Sequence, residues 1–268
     1  MSENLGMVSK ITQKRISELL KQDKRIDGRG LNDYRELKVE AGLIERAAGS
    51  ALVTLGKTKV MVGVKIETGT PYPDTPDNGV LTVNVELVPL ASPKFEPGPP
   101  KEDAIELARV VDRGIRESQA LDLKKLCIVS GKKVFIIFVD IYALDFDGNL
   151  FDASTLASIA ALKNAKMKDY VIKKDGELEY KANDISLPLQ NYPVAISTAK
   201  IDDKLVVDPS LGEEIAADAA ITVAIGKKGN ICAIQKRKVG TFSVDEIIQI
   251  INLSKQKAKE IGAMFLKG

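Results

Sequence analysis

The spacing of apolar and polar positions changes period several times along the chain, and each change predicts an element. In ITQKRISELLKQDK, Ile16, Leu19 and Leu20 recur at helical spacing before the pattern breaks at Asp27-Gly28-Arg29-Gly30, which predicts a short leading helix. From Tyr34 the texture turns β. LKVEAGLIE, GSALVTL and KVMVGVKIE are β-branched segments separated by glycine-bearing turns, as in a meander. After the loop TPYPDTPDNG, Leu81, Val83, Val85 and Leu87 alternate with Thr82, Asn84 and Glu86, a strand with one apolar and one polar face. Pro93, Pro97, Pro99 and Pro100 stiffen ASPKFEPGPP and deliver the chain to a helix that opens at Lys101.

In that helix, AIELARVVDRGIRES, a wheel of 3.6 residues per turn gathers Arg109, Arg113 and Arg116 in one narrow stripe and sets Leu107, Val111 and Ile115 opposite. One edge rests on a core while three guanidinium forks face outward, an arrangement suited to an anionic polymer. Glu106 lies three residues before Arg109, and Asp112 four before Arg116. These spacings make intrahelical ion pairs on a merely solvated face, and on residues alone that second reading is the stronger.

Further on, LCIVS and VFIIFVDIYALDF predict strands, and the alanine-rich stretch from Asp152 to Lys166 a central buried helix whose small side chains permit close packing. The polar stretch from Lys173 to Asp184 resembles a connector. PVAISTAKI, KLVVD, AAITVAI and NICAIQK then restart a sheet near Leu187. The last helix begins with Ser243 and Glu246 at capping-box spacing and carries Ile247, Ile248, Ile251, Ala258 and Ile261 on an apolar face. The expected division is residues 1–30, leading helix and arm; 31–168, first domain; 169–186, connector; 187–268, second domain with the C-terminal helix. The fold class is α/β of the α+β kind, two sheet-plus-helix lobes arranged as if duplicated.

Composition narrows the chemistry. A chain of 268 residues, 44% hydrophobic, is long enough for a substantial core in two linked lobes. With 39 basic and 37 acidic residues the net charge is +2, so any nucleic-acid contact must come from local clustering. No apolar run is long enough for a bilayer, and MSENLGMVSK lacks a secretory hydrophobic stretch, so a cytoplasmic protein without membrane contact is expected. Cys127 and Cys232 lie in separate apolar runs without CxxC spacing, which predicts buried free thiols. Histidine is absent, which removes Ser-His-Asp triads, Cys-His pairs and every histidine-bearing zinc motif. The 28% charged content with no tryptophan leans toward a heat-adapted source.

Three motifs fail as phosphate or metal sites. Gly56-Lys57-Thr58 lacks the first glycine of a P-loop, its place being Ala51, and a strand-like segment follows. IGKKGN reads as a hairpin turn with solvated Lys227 and Lys228. Asp208, Glu213, Glu214 and Asp218 offer oxygens to a divalent cation, but acidic loops mostly bind nothing, so no metal or cofactor is expected.

Taken together, RIDGRGLNDYR, GSALVTLG, VNVELVPL, FEPGPP, ELARVVDRGIRES, DGNLFDASTLASIAAL and VVDPSLGEE resemble the RNase PH family, from about Arg25 to the final helix. The branch it most resembles is the archaeal exosome subunit that pairs with a catalytic paralogue. Active members trim RNA from the 3′ end, inorganic phosphate attacking the terminal phosphodiester. Their DGGTRTAS segment, registered on Asp147-Gly148, puts Leu150 at the threonine's place and Phe151 at the arginine's. A phenyl ring cannot donate a fork of hydrogen bonds to an oxyanion. Their D-x5-D-x5-D carboxylates fall on Asp208, Glu214 and Ala220, so the resemblance implies no catalytic residues. It also implies a hexameric ring, a trimer of heterodimers with the catalytic subunit under RNA-binding cap subunits. There Arg109, Arg113 and Arg116, with Arg109 foremost, contact the backbone of single-stranded RNA. Two rivals remain: a self-sufficient phosphate-dependent 3′-to-5′ exoribonuclease using Asp208 and Glu214, and an architectural subunit whose arginines make only salt bridges.

Overall fold

The longest strand of the chain organises its first half. In the computed structural model, which describes residues 2–172 and 178–265, helix α1 (Ser2–Leu20) precedes β1 (Leu37–Ala41), β2 (Gly49–Leu55), β3 (Thr58–Gly69) and β4 (Val80–Leu87). Helix α2 (Glu102–Glu117) follows, then a 3-10 turn, β5 (Cys127–Val129) and the long β6 (Lys133–Asp145). Next come α3 (Leu150–Asn164), β7 (Lys166–Ile172) and β8 (Leu178–Ser186). The remainder is β9 (Val194–Ile201), β10 (Lys204–Val207), α4 (Leu211–Ala216), β11 (Ala219–Ile225), β12 (Ile231–Arg237) and α5 (Val244–Phe265).

The meander forms as β1-β2-β3 and continues onto β6, while β4 lies parallel on the far side of β6. A second, antiparallel sheet runs β10-β9-β11-β12. In β4 the predicted alternation holds where it matters, with Leu81 and Val85 buried and Asn84 and Glu86 exposed.

Helix α3 lies between the two sheets, packing on β2 and β3 of one and β9 of the other. Every residue from Leu150 to Leu162 is buried, as expected of a central helix. It starts earlier than Asp152 because Asn149 caps it, and it stops before Lys166, which opens β7. Close approach depends on Gly49 of β2, where a Cβ would stand 2.3 Å from the Ala161 carbonyl oxygen. A single apolar cluster runs from Val53 and Val62 of the first sheet through Leu156 and Ile159 to Val223 and Ile250. The two lobes are therefore two sheets sharing one core. A smaller cluster seats Ile16 and Leu20 of α1 against Ile201 and Val206 of the second sheet.

Three expectations need correction. The predicted connector is mostly a β7–β8 hairpin, anchored to the core by Met167, Tyr170, Leu178 and Ile185; its residues 173–177 lie outside the described residues. Aromatic and β-branched residues within it favour strand despite the polar composition. In α5 the capping box forms, Ser243 and Glu246 bonding reciprocally at 2.7 and 3.2 Å. Its buried seam, however, is Ile250, Ser254, Ala258 and Ile261, while Ile248 is 52% exposed. The cysteines are free but only half-buried, because Cys127 opens a three-residue strand and Cys232 lies on the edge strand of its sheet.

Candidate functional site

Helix α2 takes up the orientation its periodicity predicts. Leu107, Val111 and Ile115 are buried, and Arg109, Arg113 and Arg116 are all exposed on the outer face. Their states differ. Arg116 folds back on Asp112 in a two-point ion pair, Nη2 to Oδ1 at 2.8 Å and Nε to Oδ2 at 3.2 Å, and also donates to the Leu81 carbonyl. That hydrogen bond with Asp112 raises the Arg116 pKa. Arg113 donates to Gln235 Oε1 of β12 at 3.2 Å. Arg109 makes no ion pair or hydrogen bond among the described residues. Of the two intrahelical pairs that spacing allowed, only Asp112–Arg116 forms, and Glu106 lines a cleft at the helix flank instead.

That cleft, of about 350 Å³, lies between α2, the start of α3, α4 and β11–β12. It brings Leu150 and Phe151 together with Glu214 and Ala220, more than 60 residues further along the chain, and has Asp103 and Glu106 on the α2 side. Phe151 is covered by Arg237, whose guanidinium carbon stands 3.8 Å from the ring centroid, a cation–π contact. Arg237 Nε and Nη2 are buried and have no hydrogen-bond partner among the described residues. Lys238 is occupied by the carbonyls of Glu214 and Ala217. Burial raises the Glu214 carboxyl above its ordinary value despite Arg237 nearby, and Glu214 accepts from the Asn149 backbone at 2.9 Å.

The first of the spaced carboxylates does not line this cleft. Asp208 is fully buried and receives Arg35 Nη2 at 2.7 Å, Arg35 Nε, Arg29 Nη1 and the Arg35 backbone each at 2.9 Å, and Asn149 Nδ2 at 2.8 Å. Burial opposes its charge, but the hydrogen bonds and charge of Arg35 prevail and hold its carboxyl below the usual range. Arg35 also donates to the carbonyls of Asp147 and Gly148, and Thr58 Oγ1 bonds the same loop at 2.7 and 3.0 Å. Gly148, with φ +89°, is required there, since a Cβ would stand 2.5 Å from the Leu211 nitrogen. The other members of the acidic cluster are committed as well. Glu213 pairs with Arg25 and caps α4, and Asp218 accepts the Asp202 backbone.

A second buried carboxylate adjoins this network. Asp152 accepts from Tyr34 Oη at 2.6 Å, Asn149 Nδ2 at 2.8 Å, and the Ser197 hydroxyl and backbone at 2.8 and 3.0 Å. Burial outweighs these bonds and pushes its pKa from 3.8 to about 6. The folded chain holds this proton more tightly than the unfolded one, so its stabilising effect is complete below about pH 4 and lost as pH rises through about 6. Between pH 4 and 7 the melting temperature of the wild type should therefore fall relative to Asp152→Asn, which cannot ionise. Calorimetric melts across that range check this, and a pH-independent difference would refute it.

Sequence reading did not find Arg237 or the roles of Arg35 and Asn149. Arg35 belongs to RIDGRGLNDYR, so its motif was visible although its partners were not. Among the described residues no helix is long and apolar enough to cross a membrane. Residues 33–168 match the model of the 3′ exoribonuclease family, domain 1, and residues 191–257 that of its domain 2. The exosome complex component Rrp42 of Pyrococcus abyssi is 51% identical over 268 residues, spanning 100% of this chain and 97% of that protein. Its counterpart from Methanosarcina mazei is 47% identical over 268 residues, spanning 100% and 98%. A solved structure described as the Archaeoglobus fulgidus exosome with RNA bound to the active site superposes with TM-score 0.89 at 47% identity, covering 97% of this chain and 99% of that one. With both of the family's domain models matched in order on an α+β fold of two main sheets, the chain belongs to the 3′ exoribonuclease, or RNase PH, family.

Proposed function

We propose that this chain is a catalytically silent ring subunit of an archaeal exosome, acting in 3′-to-5′ phosphorolytic RNA degradation without performing phosphorolysis itself. It alternates with a catalytic RNase PH-like subunit in a hexameric ring, a trimer of heterodimers, beneath RNA-binding cap subunits in the cytoplasm. Its own contribution is to hold single-stranded RNA along α2 through Arg109, Arg113 and Arg116 and to complete the partner's active site.

The observation that carries the silent reading is the cleft. Where attacking phosphate needs a guanidinium fork, Phe151 presents a ring, and the nearby Arg237 sits over that ring, its guanidinium carbon 3.8 Å from the centroid. Of the three spaced carboxylate positions only Glu214 brings an acid to the cleft; Ala220 has none to offer, and Asp208 is bound by Arg29, Arg35 and Asn149 outside it. A carboxylate buried and engaged by these three side chains is not free to move a proton in the cleft.

An RNA-decay assay with phosphate, comparing this chain, a catalytic paralogue and their mixture, tests the reading. Activity is expected chiefly in the mixture. Phosphate-dependent release of nucleoside diphosphates by this chain alone would instead select the self-sufficient exoribonuclease.

A further inference from the structure

A second cavity lies at the opposite end of β11 from the Phe151 cleft. Ala220 lines the cleft and Ile225 lines the cavity, five residues along one strand, so the two are separated by about 17 Å. The cavity, about 490 Å³, opens between α3, α5 and the turn from Gly226 to Gly229. Leu156, Ile159, Val194, Ile225 and Ala258 form apolar walls, and Tyr192 adds an aromatic ring.

Among the described residues, five lysines line it, Lys163, Lys227, Lys228, Lys255 and Lys259, and no aspartate or glutamate does. In a chain of net charge +2 this is a pronounced local excess. Lys255 and Lys259 stand four apart on one face of α5, where like charges repel. Lys228, Lys255 and Lys259 make no ion pair or hydrogen bond among the described residues, and Lys227 sits over the Tyr192 ring at 5.6 Å. The Gly226–Gly229 turn is the hairpin its sequence predicts, with the amides of Gly226, Lys227 and Gly229 already bonded. Anion recognition there falls to the lysine side chains.

We propose that this cavity binds a nucleoside phosphate, its base against Tyr192 and the aliphatic wall and its phosphates among Lys228, Lys255 and Lys259. The volume falls within the span of small-ligand sites, roughly 300–1,000 Å³, and the mix of apolar lining with a few charged groups is theirs too. Inorganic phosphate alone would leave the apolar wall unfilled. A diphosphate spreads charge over several oxygens and so matches lysines contributed by separate elements. This site stands independently of the ring-subunit reading.

Titration calorimetry of the full-length chain with ADP, adenosine and inorganic phosphate tests it. ADP is expected to bind at least about tenfold more tightly than either fragment. The double substitution Lys255→Glu and Lys259→Glu, on exposed helix positions, should weaken ADP by about tenfold or more. Tyr192→Ala should weaken ADP but leave phosphate unchanged, and Arg109→Glu should leave ADP unchanged. ADP binding no tighter than phosphate, or undiminished in the lysine variant with its circular dichroism intact, overturns the proposal. So does binding of a glutamate-rich peptide at these lysines in place of ADP.

Discussion

Replacing Asp208 with alanine is expected to cost about 3–5 kcal/mol of folding stability, the range for removing one partner of a buried ion pair. The side chain is fully buried and is the shared acceptor of Arg29, Arg35 and Asn149. Without it, the largely buried Arg35 guanidinium loses its one ion pair among the described residues, and Arg29 keeps only Asp27 and a 4.0 Å approach to Glu213, its Nη2 already lacking a hydrogen-bond partner. The loop from Asp147 to Asn149, held by the same Arg35 and Asn149, loosens with it. Denaturant titration at neutral pH gives the number. A loss below about 1 kcal/mol, typical of an exposed pair, would return Asp208 to the list of free acids available for chemistry.

In an assembled ring, the joint substitution of Arg109, Arg113 and Arg116 by alanine should flatten the dependence of RNA affinity on salt. Three phosphate contacts to a single strand give a slope of about −0.7 each, roughly −2 in total, or about a twentyfold loss between 50 and 200 mM salt. The arginines enter this sum from different starting states. Arg109 is exposed and unpaired among the described residues, Arg113 leaves one hydrogen bond to Gln235, and Arg116 must exchange Asp112 for a phosphate. That exchange is inexpensive, since an exposed ion pair is worth about 0–1 kcal/mol. Filter binding across a salt series reads the slope for each single variant and for the triple. A slope unchanged in the triple variant would leave the helix an architectural element whose arginines bind only protein.

Elements with clean periodicity were legible in the sequence. The wheel over α2 names both its buried and its exposed face, and the alternation in β4 names its inner residues, because in each case one side packs and the other meets solvent. Legibility fails where partners come from far along the chain. Asp208 reads as one more acid in an acidic loop, and only the fold brings residues 29, 35 and 149 to it. Phe151 was visible as a substitution, while its cover, Arg237, comes from β12 through sheet topology. The β7–β8 hairpin was missed for a different reason. Its exposed faces are polar, so the few core-facing residues that anchor it give no sustained alternation.

The placement of α3 between the sheets has a consequence for the integrity of the molecule. A cut near Leu187 would strip one side of that helix and leave a greasy seam on each fragment, so neither half is expected to persist alone, and heat is expected to melt both in one transition. The two sheets are therefore expected to behave as one cooperative body.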